Sequence, residues 1–84
     1  MHRTTSRFWK YFAGLPEEVQ KVAREKFQLL KTDPQHPSLH FKKVGKLWSV
    51  RAGIAHRALA MDDGKDFIWI WIGRHDEYER VIAT

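Results

Sequence analysis

Cysteine is absent from the 84 residues, and no apolar run is longer than residues 67–72. Without cysteine the chain has neither a disulfide framework nor a thiolate metal site, which suits a reducing cytoplasm. An apolar run this short cannot span a bilayer, and the N-terminus lacks the apolar segment of a signal peptide. These absences predict a soluble, unsecreted, cytoplasmic protein with no membrane partner.

The apolar content is high for so short a chain: 43% of the residues are hydrophobic and 13% are aromatic, with four tryptophans. A disordered chain has few aromatic residues and little to bury, so this composition predicts a folded protein. No internal repeat, linker or low-complexity tract divides the sequence. We therefore interpret residues 1–84 as a single domain with one core.

Positive charge is concentrated in the first part of the chain. Residues 1–60 contain twelve Lys or Arg and four Asp or Glu, a net +8, whereas residues 61–84 contain three and six, a net −3, which together give the +5 of the whole chain. A basic surface raises the local concentration of polyanions and of acidic proteins. The charge thus favours a nucleic acid or an acidic protein partner, with general solubility as the alternative interpretation.

Two stretches near the start have the apolar spacing of amphipathic helices. The apolar side of the first consists of Phe8, Tyr11, Phe12 and Leu15. That of the second consists of Val19, Val22, Ala23, Phe27 and Leu30. Thr4, Thr5 or Ser6 can cap the first helix. Pro16 suits the start of the second, which is expected to end near residues 33–34. The short connection predicts a helical hairpin.

After Pro37 the apolar period changes from that of a helix to that of a strand. The candidate strands are residues 39–44, 47–52, 55–61 and 67–72. Short turns between them predict antiparallel neighbours. The fold class is therefore α+β, with an N-terminal helical hairpin packed on a small, mainly antiparallel sheet. Residues 76–82 add a short terminal helix or strand.

The last candidate strand alternates aromatic residues with isoleucines. Strict alternation places Trp69 and Trp71 on one face and the isoleucines on the other, where they are expected to meet the helices. Because every position is apolar, we expect both faces of this strand to be covered.

Arg51 and Arg57 flank the turn at Gly53. A three-residue turn makes them direct partners on one face, whereas a two-residue turn places them on opposite faces. Two opposed arginines repel each other unless an anion or a carboxylate lies between them. A role in binding phosphate and a place on a solvated face both remain open at this stage.

The stretches "HPSLHFKKVGKLWSVRAGIAHRALAM" and "IWIWIGRHDEY", placed after two helices, carry a family resemblance. The order of the helices, the "WSVR" strand, the glycine turn, "HRAL" and an apolar strand ending in Ile-Gly resembles the RelE/ParE superfamily of toxins from bacterial type II toxin–antitoxin systems. The resemblance covers essentially the whole chain. It implies a compact basic sheet and a cognate antitoxin that organises a larger oligomer.

The superfamily implies two different activities. RelE-like members are endoribonucleases (mRNA interferases) that cut translated messages in the ribosomal A site without a metal ion or other cofactor. ParE-like members instead poison DNA gyrase and are not nucleases. We therefore expect a toxin that cleaves mRNA, with a gyrase poison or an inactive protein-binding relative as alternatives.

Metal-independent RNA cleavage needs an acid, a base and cations near the phosphate. The resemblance implies these roles for Arg57, His75 and Tyr78, and Arg51 is the second phosphate candidate. The residues expected to bind RNA are Lys42, Lys43, Lys46 and Arg74.

The sequence also departs from the RelE pattern. The two lysines that RelE carries before the glycine turn fall at Leu47 and Ser49, which weakens a RelE mechanism and favours the gyrase alternative. Lys42, Lys43 or Lys46 can take over as the base, or His75 itself can act. His36 and His40 have the spacing of a helical metal pair, but the intervening Pro37 excludes the helix, so no metal site is expected.

Overall fold

The computed structural model describes residues 2–83, with side chains up to residue 82. In chain order the elements are β1 (His2–Thr4), α1 (Ser6–Ala13), α2 (Glu17–Thr32), a short 3-10 turn (Pro37–Leu39), β2 (Lys42–Val44), β3 (Leu47–Gly53), β4 (His56–Asp62), β5 (Phe67–Arg74) and α3 (His75–Ala83). The sheet order is β1-β5-β4-β3-β2, and every pairing is antiparallel except that of β1 with β5. The prediction of an α+β fold with a mainly antiparallel sheet is confirmed.

The prediction of an N-terminal helical hairpin is wrong, because a strand precedes both helices. Strand β1 is fixed by its partners: Trp69 Nε1 donates to His2 Nδ1 at 3.0 Å, and Thr5 Oγ1 donates to the Trp69 carbonyl at 3.1 Å. Helix α1 then packs on β5, whereas α2 packs on β3. Residues 2–4 show no alternation of apolar and polar side chains, so the local sequence does not indicate a strand. Strand β1 forms because it pairs with β5.

The helix boundaries follow the local signals more closely. Thr5 caps α1, and its Oγ1 accepts a hydrogen bond from the Phe8 amide at 3.1 Å. Helix α2 begins directly after Pro16 and is capped at its end by Asp33, as predicted. The terminal segment is a helix, α3, and no helix within residues 2–83 has the length and apolar composition needed to cross a membrane.

The first predicted strand is shorter than expected, because residues 37–39 form the 3-10 turn and only residues 42–44 pair. Pro37 suits the first turn of a helix, and His36 caps it by accepting a hydrogen bond from the Ser38 amide at 3.2 Å. His40 has a φ of 46°, in the left-handed region, which ends the turn before β2 begins.

A β-bulge in β5 overturns the expected alternation of tryptophan and isoleucine. Trp71 pairs with Leu59 and Trp69 pairs with Ala60, so Ile70 is one extra residue between them. The bulge reverses the side-chain direction along the strand. Trp69 and Trp71 therefore lie on opposite faces of the sheet.

The sheet consequently has two separate cores. The residues of the helix-side core, beneath α1 and α2, are Phe8, Phe12, Ala23, Leu30, Leu39, Val50, Ala52, Ala58, Ala60, Trp69 and Ile72. Those of the smaller α3-side core are Leu59, Trp71 and Tyr78, bordered by Leu47, Ile70, Val81 and Ile82. The expectation that the last strand is covered on both faces is correct. Of its isoleucines, Ile72 joins the helix-side core, whereas Ile70 lies on the other face.

Candidate functional site

Arg51 and Arg57 are direct partners across β3 and β4. The turn between the strands has two residues, Ile54 and Ala55, which by length alone predicts opposite faces. The register shifts between Arg51 and Gly53, however, so that Ala52 is an extra residue and the arginines face the same side. The turn therefore has two residues, yet the two arginines are partners on one face, which is expected from the sequence only for a three-residue turn.

Three candidate residues form one chain of contacts on the α3 side. The Arg57 guanidinium carbon lies 5.4 Å from the centre of the Tyr78 ring, and the His75 ring lies 5.6 Å from that of Tyr78. His75 is the first residue of α3, and its amide donates to the Ala55 carbonyl at 2.7 Å. Tyr78 is 6% exposed and His75 is exposed. The tip of the β3–β4 turn thus fixes the start of α3 beside the arginine pair.

The glycine at the end of β5 makes room for this arrangement. Gly73 pairs with Arg57, and a Cβ at this position would approach Cζ2 of Trp71 to 2.5 Å. The Trp71 indole therefore covers Gly73, next to Arg57. The Ile-Gly pair in the motif is explained by this close approach rather than by an unusual backbone angle.

The α3-side face contains two buried polar atoms without a hydrogen-bond partner. These are Oγ of Ser49, which is 0% exposed, and Nη1 of Arg57. Ser49 pairs with Leu59, and the Arg51–Arg57 pair lies two residues farther along the strands on the same face. Within residues 2–83, neither arginine forms a salt bridge with a carboxylate. The repulsion expected of two opposed arginines is therefore not relieved by the described part of the chain.

The four residues expected to bind RNA are all exposed but do not form one surface. Lys42 pairs with Ser49 and shares its face, whereas Lys43 pairs with Trp48 and points to the opposite face. Lys46 lies in the turn after β2. Arg74, at the end of β5, lies 3.4 Å from an Asp76 carboxylate oxygen. Only Lys42 is therefore placed on the face of the arginine pair.

A shallow depression of about 390 Å³ opens beside His75. It is lined by Ala55, Arg74, His75, Asp76 and Glu79. Charges of both signs thus border the imidazole. A phosphate approaching His75 from this side would meet the carboxylates of Asp76 and Glu79 as well as the Arg74 guanidinium.

Two histidines acquire a context that the sequence does not reveal. Burial, followed by the positive charge of Arg74, lowers the pKa of His56, which pairs with Arg74. Burial also lowers the pKa of His2, whose ring stacks on Phe67. Both positions depend on strand pairing between distant segments, so no local pattern indicates them.

His36 and His40 do not form the metal pair that their spacing suggests. The His36 imidazole caps the 3-10 turn and contacts Oγ of Ser38 at 2.9 Å. Ser38 Oγ in turn accepts from Nζ of Lys26 at 3.0 Å, which ties the turn to α2. Among residues 2–83, no group of three His, Cys, Asp or Glu side chains is placed to hold a metal ion.

An apolar cleft of about 310 Å³ lies on the opposite side of the sheet, between α1 and α2. Ala58 and Trp69 belong to its floor, and Trp9, which is 47% exposed, lines its edge. Arg24 also lines the cleft, with its guanidinium carbon 5.1 Å from the centre of the Phe12 ring. Trp9 therefore lies at the margin of the helix-side core.

Solved structures with the same fold come from toxin–antitoxin complexes and from an isolated toxin. A chain of the RelB–RelE antitoxin–toxin complex from Methanococcus jannaschii aligns with a TM-score of 0.73 at 12% identity, over 94% of this chain and 96% of that one. A chain of the RelBE2 toxin–antitoxin complex from Mycobacterium tuberculosis gives 0.65 at 18% identity, over 89% and 96%. The isolated RelE toxin from E. coli gives 0.62 at 12% identity, over 99% and 95%.

No model of a protein family matches this sequence, and no curated protein matches it. The similarity is therefore one of fold, an α+β toxin fold that extends over nearly the whole chain. The chain has the fold of the RelE toxins, as the resemblance in its sequence predicts.

Proposed function

We propose that this chain is the toxin of a toxin–antitoxin pair and that it cleaves mRNA during translation. The observation that carries the proposal is the contact of Arg57 with Tyr78 and of Tyr78 with His75 beside a second arginine, on a RelE fold. Acid–base chemistry by His75 and charge stabilisation by the arginines are the functions that metal-independent cleavage needs. The protein then acts in the cytoplasm, on messages held by the ribosome.

In this proposal Arg57 and Arg51 bind the scissile phosphate, because a planar guanidinium can donate two parallel hydrogen bonds to phosphate oxygens. His75 protonates the leaving 5′-oxygen or accepts the proton of the 2′-hydroxyl. Tyr78 orients the substrate and the Arg57 guanidinium. Lys42 adds positive charge on the same face, while Lys43, Lys46 and Arg74 attract the RNA backbone from farther away.

The test uses induced expression of the wild type and of His75→Ala, with primer extension on cellular messages. Wild-type expression should produce cuts within translated regions. Because the exposed His75 side chain contributes little to packing, its truncation should leave the melting temperature unchanged. The loss of acid–base catalysis should slow cleavage by about 10² to 10⁴. Full cleavage by a folded His75→Ala protein would remove His75 from the mechanism, leaving Lys42, on the face of the arginine pair, as the candidate for the base.

A gyrase poison is the second candidate, and one specific observation favours it. Leu47 and Ser49, where RelE carries lysines, are half-buried and fully buried against the α3 side, so neither position supplies a cation. Induction separates the two functions: a nuclease stops translation first, whereas a gyrase poison first alters plasmid supercoiling. Loss of supercoiling before any message is cut would replace the first proposal with the second.

An antitoxin is the proposed partner for either function. Two of the solved structures with this fold are antitoxin–toxin complexes. The +8 charge of residues 1–60 and the apolar cleft beside Arg24 fit an acidic, amphipathic segment. Its affinity should fall as salt is added, because exposed charge pairs are screened. An affinity that does not depend on salt would show that apolar burial alone holds the complex.

A further inference from the structure

A chain of three hydrogen-bonded side chains lies outside the candidate site. Nζ of Lys26, on α2, donates to Oγ of Ser38 at 3.0 Å, and that oxygen lies 2.9 Å from Nδ1 of His36. Ser38 belongs to the 3-10 turn and His36 is its cap, and all three residues are half-buried. A hydroxyl, an imidazole and an ammonium group therefore meet at a place that solvent reaches.

The direction of each hydrogen bond in this chain is fixed by the chemistry of the groups. The Ser38 amide donates to Nδ1 of His36 at 3.2 Å, so this nitrogen is unprotonated and the neutral ring carries its hydrogen on Nε2. The Ser38 hydroxyl therefore donates to the same nitrogen. An ammonium group has donors only, so Lys26 donates to the hydroxyl oxygen. The proton of Ser38 thus points at a base, while its oxygen receives a hydrogen bond from a cation.

This arrangement exceeds what the cap of the 3-10 turn needs. The cap requires only that His36 accept a hydrogen bond from the Ser38 amide. A serine hydroxyl becomes a nucleophile when an adjacent base takes its proton. A cation beside the oxygen stabilises the negative charge that develops during the attack. His36 and Lys26 are placed for these two tasks.

The other two serines of the sequence lack these neighbours. Ser6 is exposed at the start of α1, and Ser49 is 0% exposed with no partner for its hydroxyl. Among residues 2–82, only the Ser38 hydroxyl contacts an imidazole. Reactivity confined to Ser38 would therefore arise from these contacts and not from a general property of serine.

We propose that Ser38 is a nucleophilic serine and a site of covalent acylation, with His36 as its general base. In the reaction, Oγ of Ser38 forms a bond to the carbonyl carbon of an activated ester, and its proton passes to Nδ1 of His36. The bond from that carbon to the ester oxygen then breaks, and the proton leaves with the departing alcohol. Lys26 lies beside the developing negative charge and stabilises it.

The test treats the full chain with a fluorophosphonate, whose phosphorus takes the place of the carbonyl carbon and whose fluoride is the leaving group. The adduct is stable, so mass spectrometry of the digested protein can locate it. We expect an adduct on Ser38 and none on Ser6 or Ser49. Ser38→Ala should abolish labelling, whereas Ser6→Ala, the matched control, should leave its rate unchanged.

Two further variants separate activation of the serine from capping of the turn. Asparagine is a favourable cap residue but cannot take up a proton, so His36→Asn should keep a melting temperature near that of the wild type. It should slow labelling about 10²-fold, because the general base is lost. Lys26→Met keeps an unbranched apolar side chain and removes the charge. It should slow labelling about tenfold, the effect of losing one hydrogen bond from a charged group.

Equal labelling of Ser6 and Ser38 would overturn the proposal, as would the absence of an adduct on Ser38. Labelling of His36→Asn at the wild-type rate would overturn the role of His36 as a base and leave it as a cap alone. These outcomes are distinct from failure of the proposed nuclease function, because that function is judged by RNA cleavage and by His75→Ala. A protein that cuts no RNA would still show the labelling of Ser38.

Discussion

The helix-side face and the α3-side face share the same strands but differ in what they bury. The helix side joins two helices to a cluster of aromatic and aliphatic residues. Among the side chains of residues 2–82, only Trp48 Nε1 is a buried polar atom without a partner on this face. The α3 side has a much smaller apolar cluster, in which a buried serine hydroxyl and a guanidinium nitrogen have no partner. The larger apolar core and the proposed site thus lie on opposite faces of the sheet.

This division gives the candidate site a rigid base. Strands β3, β4 and β5 are fixed by the helix-side core, which holds the backbone of Arg51 and Arg57 in place on the opposite face. A functional group on a well-packed strand is held more accurately than one on a loop. Because the faces differ, we expect the same kind of substitution to have different effects on stability or on cleavage, depending on its face. Four experiments test this expectation.

The largest effect is expected from a charge placed in the helix-side core. Ile72 is 2% exposed there, so Ile72→Asp leaves an unpaired charge that costs several kcal/mol, against a total stability of about 5 to 15 kcal/mol. This variant should be unfolded by circular dichroism. Ile70→Asp, on the half-exposed α3 side, should remain folded with a lower melting temperature. Equal unfolding of both variants would show that the two faces contribute equally.

A matched pair of leucines gives the next largest effect. Leu39 and Leu59 are both 0% exposed, one in each core. Truncation of Leu39 should cost about 4 kcal/mol, and that of Leu59 about 2 kcal/mol, because α3 can shift to fill the cavity. Urea unfolding of both alanine variants measures the difference. A larger loss in Leu59→Ala would mean that α3 is as firmly packed as the opposite face.

Substitution of two arginines that each lie over an aromatic ring separates a role in RNA cleavage from a role in packing. Arg57 lies over Tyr78, and Arg24 lies over Phe12 at a similar distance, 5.4 and 5.1 Å from the ring centres. Arg57→Lys should slow RNA cleavage about tenfold, since lysine cannot replace a bidentate contact. Arg24→Lys should have no effect on cleavage, and neither should change stability substantially. Equal cleavage rates in both variants would place the phosphate elsewhere.

The smallest effect is a pH dependence that arises on the helix side. Burial and the positive charge of Lys31 lower the pKa of His2, so the folded protein binds this proton less readily than the unfolded chain. The unfolded chain then takes up more protons as the pH falls through about 6.5, and stability decreases. The pKa of His56 is lowered in the same direction.

Melting temperatures at pH 7.5 and pH 5.5 test this prediction. His2→Gln should reduce the loss at the lower pH, although it also changes the hydrogen bond with Trp69. His56→Gln should also reduce the loss, because the pKa of His56 is lowered in the same direction. A protein more stable at pH 5.5 than at pH 7.5 would contradict the direction of both pKa shifts.

Local signals predicted most of the secondary structure. The cap at Thr5, Pro16 before α2 and the apolar period of each helix act within a few residues, so they are visible in a single stretch. The same holds for the strands, whose boundaries differ by one or two residues except for β2. Two predictions were wrong: that Trp71 shares a face with Trp69, and that the helices come before every strand. Both errors arise because the face of Trp71 and the formation of β1 depend on pairing with residues far away in the chain.

The sequence alone determined the α+β class, the order of the elements from α1 to β5 and the residue types of the candidate site. Tertiary structure decided the rest: the bulge at Ala52 made Arg51 and Arg57 partners, the bulge at Ile70 separated the tryptophans, and α3 packed against Leu59 and Trp71. A bulge reverses the direction of every following side chain, and it is fixed by the partner strand and the packing on both faces rather than by local propensity. Residue identity is therefore local information, whereas the face on which a residue acts depends on the whole sheet.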